Sequence, residues 1–210
     1  MSSVMDGLPL PQQQRTLETR RKLLDATIDC LVHRGHVGTT TTEVAKRAKV
    51  SQGALYKHFP TKAQLLGATA EHLFAQLIVM FRAGFAEVAE EAIVDPSERL
   101  KAVLALLWGV FRTEGLAAAV ELFTAARTDE ALASALRPAL EAHMSNIVSE
   151  AELLFPEMAG HPALPALVSG VICTMQGASL VAPLHDGSLE RAFVERATLA
   201  ECQRIVECMQ

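Results

Sequence analysis

The chain has 210 residues, half of them apolar, and this composition excludes a largely disordered protein. Its net charge of −5 is unevenly distributed, because residues 12–66 carry ten basic against four acidic residues and the last 144 residues carry nine against nineteen. A basic N-terminal segment on an acidic body indicates a polyanion partner for the first segment only.

The cysteines and the first residues narrow the class of protein further. The four cysteines have neither Cys-x-x-Cys spacing nor companion histidines at metal-ligand intervals, so we expect no metal and no cofactor (Cys30, Cys173, Cys202, Cys208). The N-terminal segment lacks a basic stretch followed by apolar residues, so we expect no signal peptide and a cytoplasmic protein with free thiols. A redox-sensing thiol stays open as an alternative.

The chain begins with a polar segment and continues into a helix. Residues 1–13 contain proline and lack hydrophobic periodicity, so we expect a disordered arm there. A first helix is predicted from about Thr16 to Arg34, with an apolar face and glycines at its end (Leu17, Leu24, Ile28, Leu31 and Val32; Gly35 and Gly38).

Two short helices follow, each with its own start signal. Thr40 with Glu43 three residues later matches a capping box, which predicts a short helix that ends near Ala48. Ser51 is the N-cap of a second short helix, from Gln52 to about His58. Two short helices joined by a tight turn and braced by a longer one form a helix-turn-helix.

Six longer helices account for the rest of the chain. Their apolar residues recur at helical spacing, and no strand pattern or internal repeat is visible. The prediction is therefore an all-α fold of about nine helices. The six are expected near Lys62 to Phe85, Pro96 to Phe111, a shorter one through Phe123, Asp129 to Phe155 with a bend at Pro138, Ala163 to Val181, and Ser188 to Met209.

One uncharged stretch is long enough to span a bilayer. From Met158 to Leu184 there is no Lys, Arg, Asp or Glu. It contains several prolines, glycines and hydroxyl side chains, and it lacks flanking basic residues or an aromatic belt. We therefore expect a helix buried in a soluble assembly and no membrane partner.

The second short helix carries the side chains suited to reading DNA. Its outward positions are Gln52, Gly53, Tyr56 and Lys57, and glutamine can form two hydrogen bonds with adenine in the major groove. Lysines around this face can bind phosphates (Lys46, Lys49, Lys57, Lys62).

The run T-T-T-T-E-V-A-K-R-A-K-V-S-Q-G-A-L-Y-K-H-F-P-T-K-A-Q-L-L resembles the N-terminal signature of TetR-family regulators. The resemblance implies a helix-turn-helix domain over residues 14–62, with base-reading and phosphate-binding side chains (Thr42, Gln52 and Tyr56; Thr40, Lys57, His58 and Lys62). The family usually has glycine in the turn, where this chain has Lys49. A left-handed lysine there costs about 1 kcal/mol and can add a phosphate contact.

For residues 63–210 the same resemblance implies a ligand-sensing and dimerisation domain. The last two helices would pair across a two-fold axis, through small residues of the first and an apolar face of the second (Ser169, Gly170, Gly177 and Ala178; Leu189, Phe193, Ala197, Ala200 and Val206). The middle helices would enclose a cavity for an apolar or aromatic effector (Trp108, Phe111, Phe123, His143, Met144, Met175). The implied function is a repressor that its effector releases from a pseudo-palindromic operator.

Two other classes stay open. One is a DNA-binding regulator without a small-molecule inducer, whose interior would be filled. The other is a hydrolase that uses Cys30 or Cys173 with a histidine, but no nucleophile-elbow glycines or phosphate loop accompany them. We therefore expect no catalytic residues and no enzyme.

Overall fold

The computed structural model describes residues 12–89, 95–181 and 188–208. In these three segments the chain forms nine α-helices, a short 3₁₀ helix at Pro156–Met158 and no strand, which confirms the all-α prediction. The helices are α1 (Gln12–Gly38), α2 (Thr41–Arg47), α3 (Gln52–His58), α4 (Lys62–Ala89), α5 (Pro96–Val110), α6 (Glu114–Ala126), α7 (Glu130–Leu154), α8 (Leu164–Val181) and α9 (Ser188–Cys208).

Helix α1 begins one turn earlier than the sequence analysis predicts. It starts at Gln12 instead of about Thr16, so the last two residues of the expected arm are helical. Glutamine and arginine are good helix formers, which lets the helix extend upstream of its first buried residue. The rest of the expected arm, residues 1–11, lies outside the described residues, as does the predicted helix end at Met209.

The apolar face and the end of α1 also differ from the prediction. Leu17 is 67% exposed, and the buried residues begin only at Leu23. The helix runs on to Gly38, but Gly35 interrupts it with φ 63° and ψ 179°, a conformation that glycine adopts readily.

The helices after α4 follow the predicted order, and side chains define several of their starts. Asp95 caps α5 by accepting a hydrogen bond from the backbone amide of Ser97 at 2.8 Å. Asp129 caps α7 by accepting one from Leu132 at 3.0 Å. Pro138 lies inside α7, and the bend expected there stays a prediction.

The buried side chains form two separate clusters. The smaller lies among α1, α2, α3 and the first turn of α4, and it includes Leu23, Val44 and Leu55. The larger fills the body around α4 to α9. Leu65 belongs to the smaller cluster and Leu66 to the larger, so the start of α4 connects the two parts of the molecule.

Helix α4 is packed closely against α7 in the body. A Cβ atom at Gly67 would lie 2.7 Å from the backbone oxygen of Ala135, a distance that real Cβ atoms essentially never show. A side chain at Gly67 would therefore force the two helices apart. This contact positions the long helix that links the two clusters.

Candidate functional site

A hydroxyl side chain caps the N-terminus of each of the three helices that follow α1. Each hydroxyl oxygen accepts a hydrogen bond from the backbone amide three residues on, at 3.1–3.2 Å (Thr40 from Glu43, Ser51 from Ala54, Thr61 from Gln64). The carboxylate of Glu43 pairs with Arg34 at 3.3 Å. These local bonds fix where α2, α3 and α4 start.

The turn between α2 and α3 contains a left-handed lysine. Lys49 has φ 56°, and no other non-glycine residue in the described segments has a positive φ. The amide of Val50 donates to the carbonyl of Ala45 at 3.0 Å, and the amide of Lys49 donates to that of Lys46 at 3.2 Å. This pair of bonds is a Schellman motif, in which the left-handed position is usually glycine. The left-handed turn expected at Lys49 is confirmed.

The exposed face of α3 presents the predicted reading side chains. Gln52, Gly53, Tyr56 and Lys57 are all exposed, and Tyr56 is 47% exposed. The amide Nε2 of Gln52 donates a hydrogen bond to the hydroxyl of exposed Thr42 on α2. The hydroxyl of Tyr56 lies 3.1 Å from that of Thr41, also on α2. These two contacts connect exposed side chains of α3 to α2.

In the N-terminal segment, the acidic side chains pair with arginines and leave several exposed lysines free to bind an anion. Three of its four acids form ion pairs within the segment, Asp25 with Arg21, Asp29 with Arg47 and Glu43 with Arg34. Among the described residues, Lys46, Lys49 and Lys57 are exposed and form no ion pair. Their charge can therefore act on a polyanion.

His58 contributes to this surface in a different way from the lysines. Burial, then Arg20 and Lys57, lower the pKa of its imidazole below 6.5, so the ring is neutral at pH 7. It is half-buried and can offer a phosphate a hydrogen bond without a charge.

A set of polar contacts, which we call the joint, connects the N-terminal segment to the body (Gly35, His36, Lys62, Glu121). The backbone amide of His36 donates to Oε2 of Glu121 on α6 at 2.8 Å. The ammonium of Lys62, at the start of α4, donates to the carbonyl of His36 at 3.3 Å. A Cβ at Gly35 would lie 3.0 Å from the same Oε2, so α1 and α6 are close there. The joint thus brings the kink of α1, the start of α4 and the middle of α6 together.

Lys62 is consequently placed differently from the other lysines. Its side chain is half-buried, and burial lowers the pKa of its ammonium. Its Nζ is engaged by the backbone of α1, whereas Lys49 and Lys57 extend into solvent. Its contact with DNA stays a prediction, and its place in the joint is a feature that the sequence analysis missed.

The body contains a cavity of about 780 Å³ among α4, α5, α6, α7, α8 and α9, and part of it opens to solvent. Its wall is overwhelmingly apolar and includes Leu77, Phe81, Leu104 and Leu107. The rings of Phe74 and Phe123 lie 6.2 Å apart on this wall, with an angle of 26° between them. A cavity of this size and character accommodates a drug-sized apolar molecule.

His143 is the unusual member of this wall. Its imidazole stacks on Phe74, with ring centroids 4.3 Å apart and an angle of 8° between the rings. Burial lowers the pKa of His143 to about 4, and its buried Nδ1 has no hydrogen-bond partner among the described residues. The ring is therefore neutral at pH 7 and keeps unused hydrogen-bonding capacity.

Comparison with known proteins identifies the family. The family model for bacterial regulatory proteins of the tetR family matches residues 23–69. An HTH-type transcriptional regulator of Mycobacterium tuberculosis is 34% identical over 177 residues, which cover 81% of this chain and 85% of the relative. The chain belongs to the TetR family. It is a transcriptional regulator that binds DNA through a helix-turn-helix.

Solved structures of TetR-family proteins share its fold. A transcriptional regulator of this family from Rhodococcus has a TM-score of 0.68 and 20% identity, and the match covers 86% of this chain and 96% of that chain. The multidrug binding protein EbrR, solved with imidazole, has a TM-score of 0.61 and 22% identity over 84% and 93% of the two chains.

The predicted site residues of this TetR-family chain fall into clear groups. Seven of the nine DNA-contact candidates are exposed, and His58 and Lys62 are half-buried. Four of the six effector candidates line the cavity (Phe111, Phe123, His143, Met144). Trp108 and Met175 are buried but do not line it, because they turn into the packed core instead. Periodicity marks both kinds of residue as buried, so it missed Leu107 as a wall residue.

The two C-terminal helices of this TetR-family body each leave one face uncovered. Residues at helical spacing along α8 and α9 are exposed (Gly170, Cys173, Gly177 and Leu180; Leu189, Phe193, Ala197 and Ala200). A Cβ at Gly170 or Gly177 would meet nothing within 4 Å, so packing within the chain does not require either glycine. Two other predicted contact residues face inward, since Ser169 lines the cavity and Ala178 is buried. The side chain of Val206 lies outside the described residues.

Proposed function

We propose that this TetR-family regulator is a cytoplasmic repressor that binds a pseudo-palindromic operator as a homodimer and is released by a small effector. The observation that carries the proposal is the cavity of about 780 Å³, which shares helix α6 with the joint. An interior cavity also favours this function over a DNA-binding regulator with a filled core.

For the DNA complex, we propose that Thr42, Gln52 and Tyr56 contact bases while Lys49, Lys57 and His58 contact phosphates. Their exposure and the bonds between α2 and α3 support this division. Packing within the chain does not require Gly53, since a Cβ there would meet only Ser51 at 4.0 Å, and the missing side chain would let the backbone of α3 approach the groove closely. Thr40 adds a phosphate contact at the start of α2.

For the dimer, we propose that the uncovered faces of α8 and α9 pair with those of a second copy. By length and hydropathy, α8 and the segment Lys62–Ala86 could each cross a membrane. The α4 segment contributes to both buried clusters, which favours a soluble protein. The exposed apolar residues on α9 extend the uncovered surface of α8, and glycines on α8 let a partner helix approach closely.

For release, we propose that α6 transmits effector binding to the N-terminal segment. Ala119 and Phe123 line the cavity, and Glu121 lies between them on the opposite side of the helix, where it binds His36. An effector that displaces α6 thereby changes the joint and the direction of α4. A conformer that binds the effector better and the operator worse then becomes populated.

The test is fluorescence anisotropy of the purified protein with DNA from upstream of its own gene, at two salt concentrations and against a scrambled duplex. We expect salt-sensitive binding in the nanomolar range, two subunits per site, and weaker binding of the scrambled DNA. Addition of an effector should then lower the anisotropy. Sequence-blind binding would contradict the operator model, and specific binding that no cavity ligand weakens would favour the regulator without an inducer.

A further inference from the structure

The cavity differs from a purely apolar void because its wall holds one imidazole with a buried nitrogen that forms no hydrogen bond among the described residues. His143 lines the cavity, and its Nδ1 is without a partner among the described residues. The imidazole is stacked on the ring of Phe74, with the centroids 4.3 Å apart, and this contact fixes the orientation of the ring in the wall. A ligand in the cavity can bring the missing partner.

The charged groups around the cavity do not suit a charged ligand in its interior. Arg127 and Arg137 line it but are exposed residues at its edge. Glu150, whose side chain is 12% exposed, already pairs with Arg82. A buried ionic ligand would need a buried partner of opposite charge, and the nearly buried charge on the described part of the wall, Glu150, is already paired.

The remaining polar groups of the wall are neutral or occupied. The hydroxyl of buried Thr198 donates to the carbonyl of Val194 at 2.6 Å. Gln176 and Ser169 are uncharged, and burial raises the pKa of the Cys202 thiol, which keeps it protonated. Only His143 combines a place on the wall with a buried, unpartnered polar atom.

We infer that the cavity binds an uncharged apolar or aromatic molecule with a hydroxyl or carbonyl group that hydrogen-bonds the imidazole of His143. This inference rests on the proposed function, since it names the class of ligand for the same cavity. A neutral imidazole can donate to a carbonyl or accept from a hydroxyl, according to its tautomer. The rings of Phe74 and Phe123 on the wall offer an aromatic ligand further surface to stack against.

The test compares four probes that share one scaffold: biphenyl, para-hydroxybiphenyl, biphenyl-para-carboxylate and para-(aminomethyl)biphenyl. Binding is measured on the full chain without DNA, by calorimetry and by the fluorescence of its single tryptophan, Trp108, which is buried in the body. We expect para-hydroxybiphenyl to bind about tenfold more tightly than biphenyl and more tightly than either ion, because it makes the additional hydrogen bond.

The matched variant is His143→Phe, which keeps a ring against Phe74 and removes both nitrogens. In this variant the hydroxyl preference should fall to within about twofold. His33→Phe, on the exposed face of α1, is the control and should leave the preference unchanged. Circular dichroism establishes that each variant is folded.

Three outcomes would overturn the inference. They are tighter binding of the carboxylate or the amine than of the phenol, retention of the hydroxyl preference in His143→Phe, and failure of all four probes to bind. Operator release is measured separately by anisotropy. If the phenol binds with the expected preference but does not release DNA, the inference stands and the inducer role in the proposed function fails.

Discussion

The left-handed lysine in the helix-turn-helix leads to a prediction in which stability and DNA binding change in opposite directions. The strain of a non-glycine residue at φ 56° is about 1–2 kcal/mol, and glycine removes it. Glycine also makes the unfolded chain more flexible, which offsets about 0.5–1 kcal/mol of that gain. Lys49→Gly should therefore raise the free energy of unfolding by up to about 1.5 kcal/mol, or Tm by up to about 6 °C.

The same substitution should weaken operator binding. Lys49 is exposed and forms no ion pair among the described residues, so its loss removes a phosphate contact. The slope of log Kd against log salt should become shallower by about one per subunit. Lys49→Asn should reproduce the binding loss, because asparagine tolerates the left-handed region but carries no charge.

Calorimetry of unfolding and anisotropy at several salt concentrations measure the two effects. Lys46→Gly is the matched control, since Lys46 is an exposed lysine with helical backbone in α2 and its replacement should lower stability by about 1 kcal/mol. If Lys49→Gly destabilises the protein as Lys46→Gly does, the reasoning about the turn is refuted. Unchanged salt dependence would refute the phosphate contact.

Three further predictions concern the body. The pKa of His143 is about 4 in the folded chain and near 6.5 in the unfolded chain, so the stability present above pH 6.5 is lost as pH falls. The free energy of unfolding should decrease by about 2 kcal/mol between pH 7 and 5. In His143→Phe, Tm should fall less over the same range. Glu121→Ala should leave effector affinity unchanged but reduce the effector's influence on operator Kd about fivefold. Glu121→Gln retains a hydrogen-bond acceptor and should retain most of the coupling. Titrations of effector and operator, each with and without the other, measure both effects. Gly177→Leu should convert the dimer into monomers, as measured by sedimentation velocity. Gly109→Leu, at an equally open position on α5, is the control and should leave the dimer intact. A dimeric Gly177→Leu protein would contradict the proposed interface.

The helix-turn-helix could be predicted closely because its signals are local. The capping hydroxyls of Thr40 and Ser51 and the turn at Lys49 act within a few residues of their positions in the chain. Helix type and order in the body followed from periodicity, which depends only on spacing along the chain. The start of α1 was less well predicted, since no Ser, Thr, Asp or Asn immediately precedes Gln12 in the sequence to signal it.

The cavity wall could not be separated from the packed core by sequence. Trp108 and Leu107 are neighbours on α5, yet only Leu107 lines the cavity. Both are apolar residues on the inward side of the helix, and whether space remains beside one of them depends on how six helices pack. The joint was missed for a related reason, because His36 and Glu121 lie 85 residues apart and their bond uses a backbone amide. A contact between a side chain and a distant backbone amide leaves no pattern in the sequence that would predict it.

Helix α6 explains how one small molecule could control a distant DNA-binding surface. Residues two positions apart on a helix face nearly opposite directions, so Ala119 and Phe123 can line the cavity while Glu121 binds α1. Any movement of α6 that the effector favours must then either stretch the bond to His36 or move the kink at Gly35. Lys62 binds the carbonyl of the same His36, so the start of α4 experiences that change as well. Coupling of this kind is reciprocal: an effector that weakens operator binding through the joint must itself bind less tightly, by the same factor, when the operator is bound.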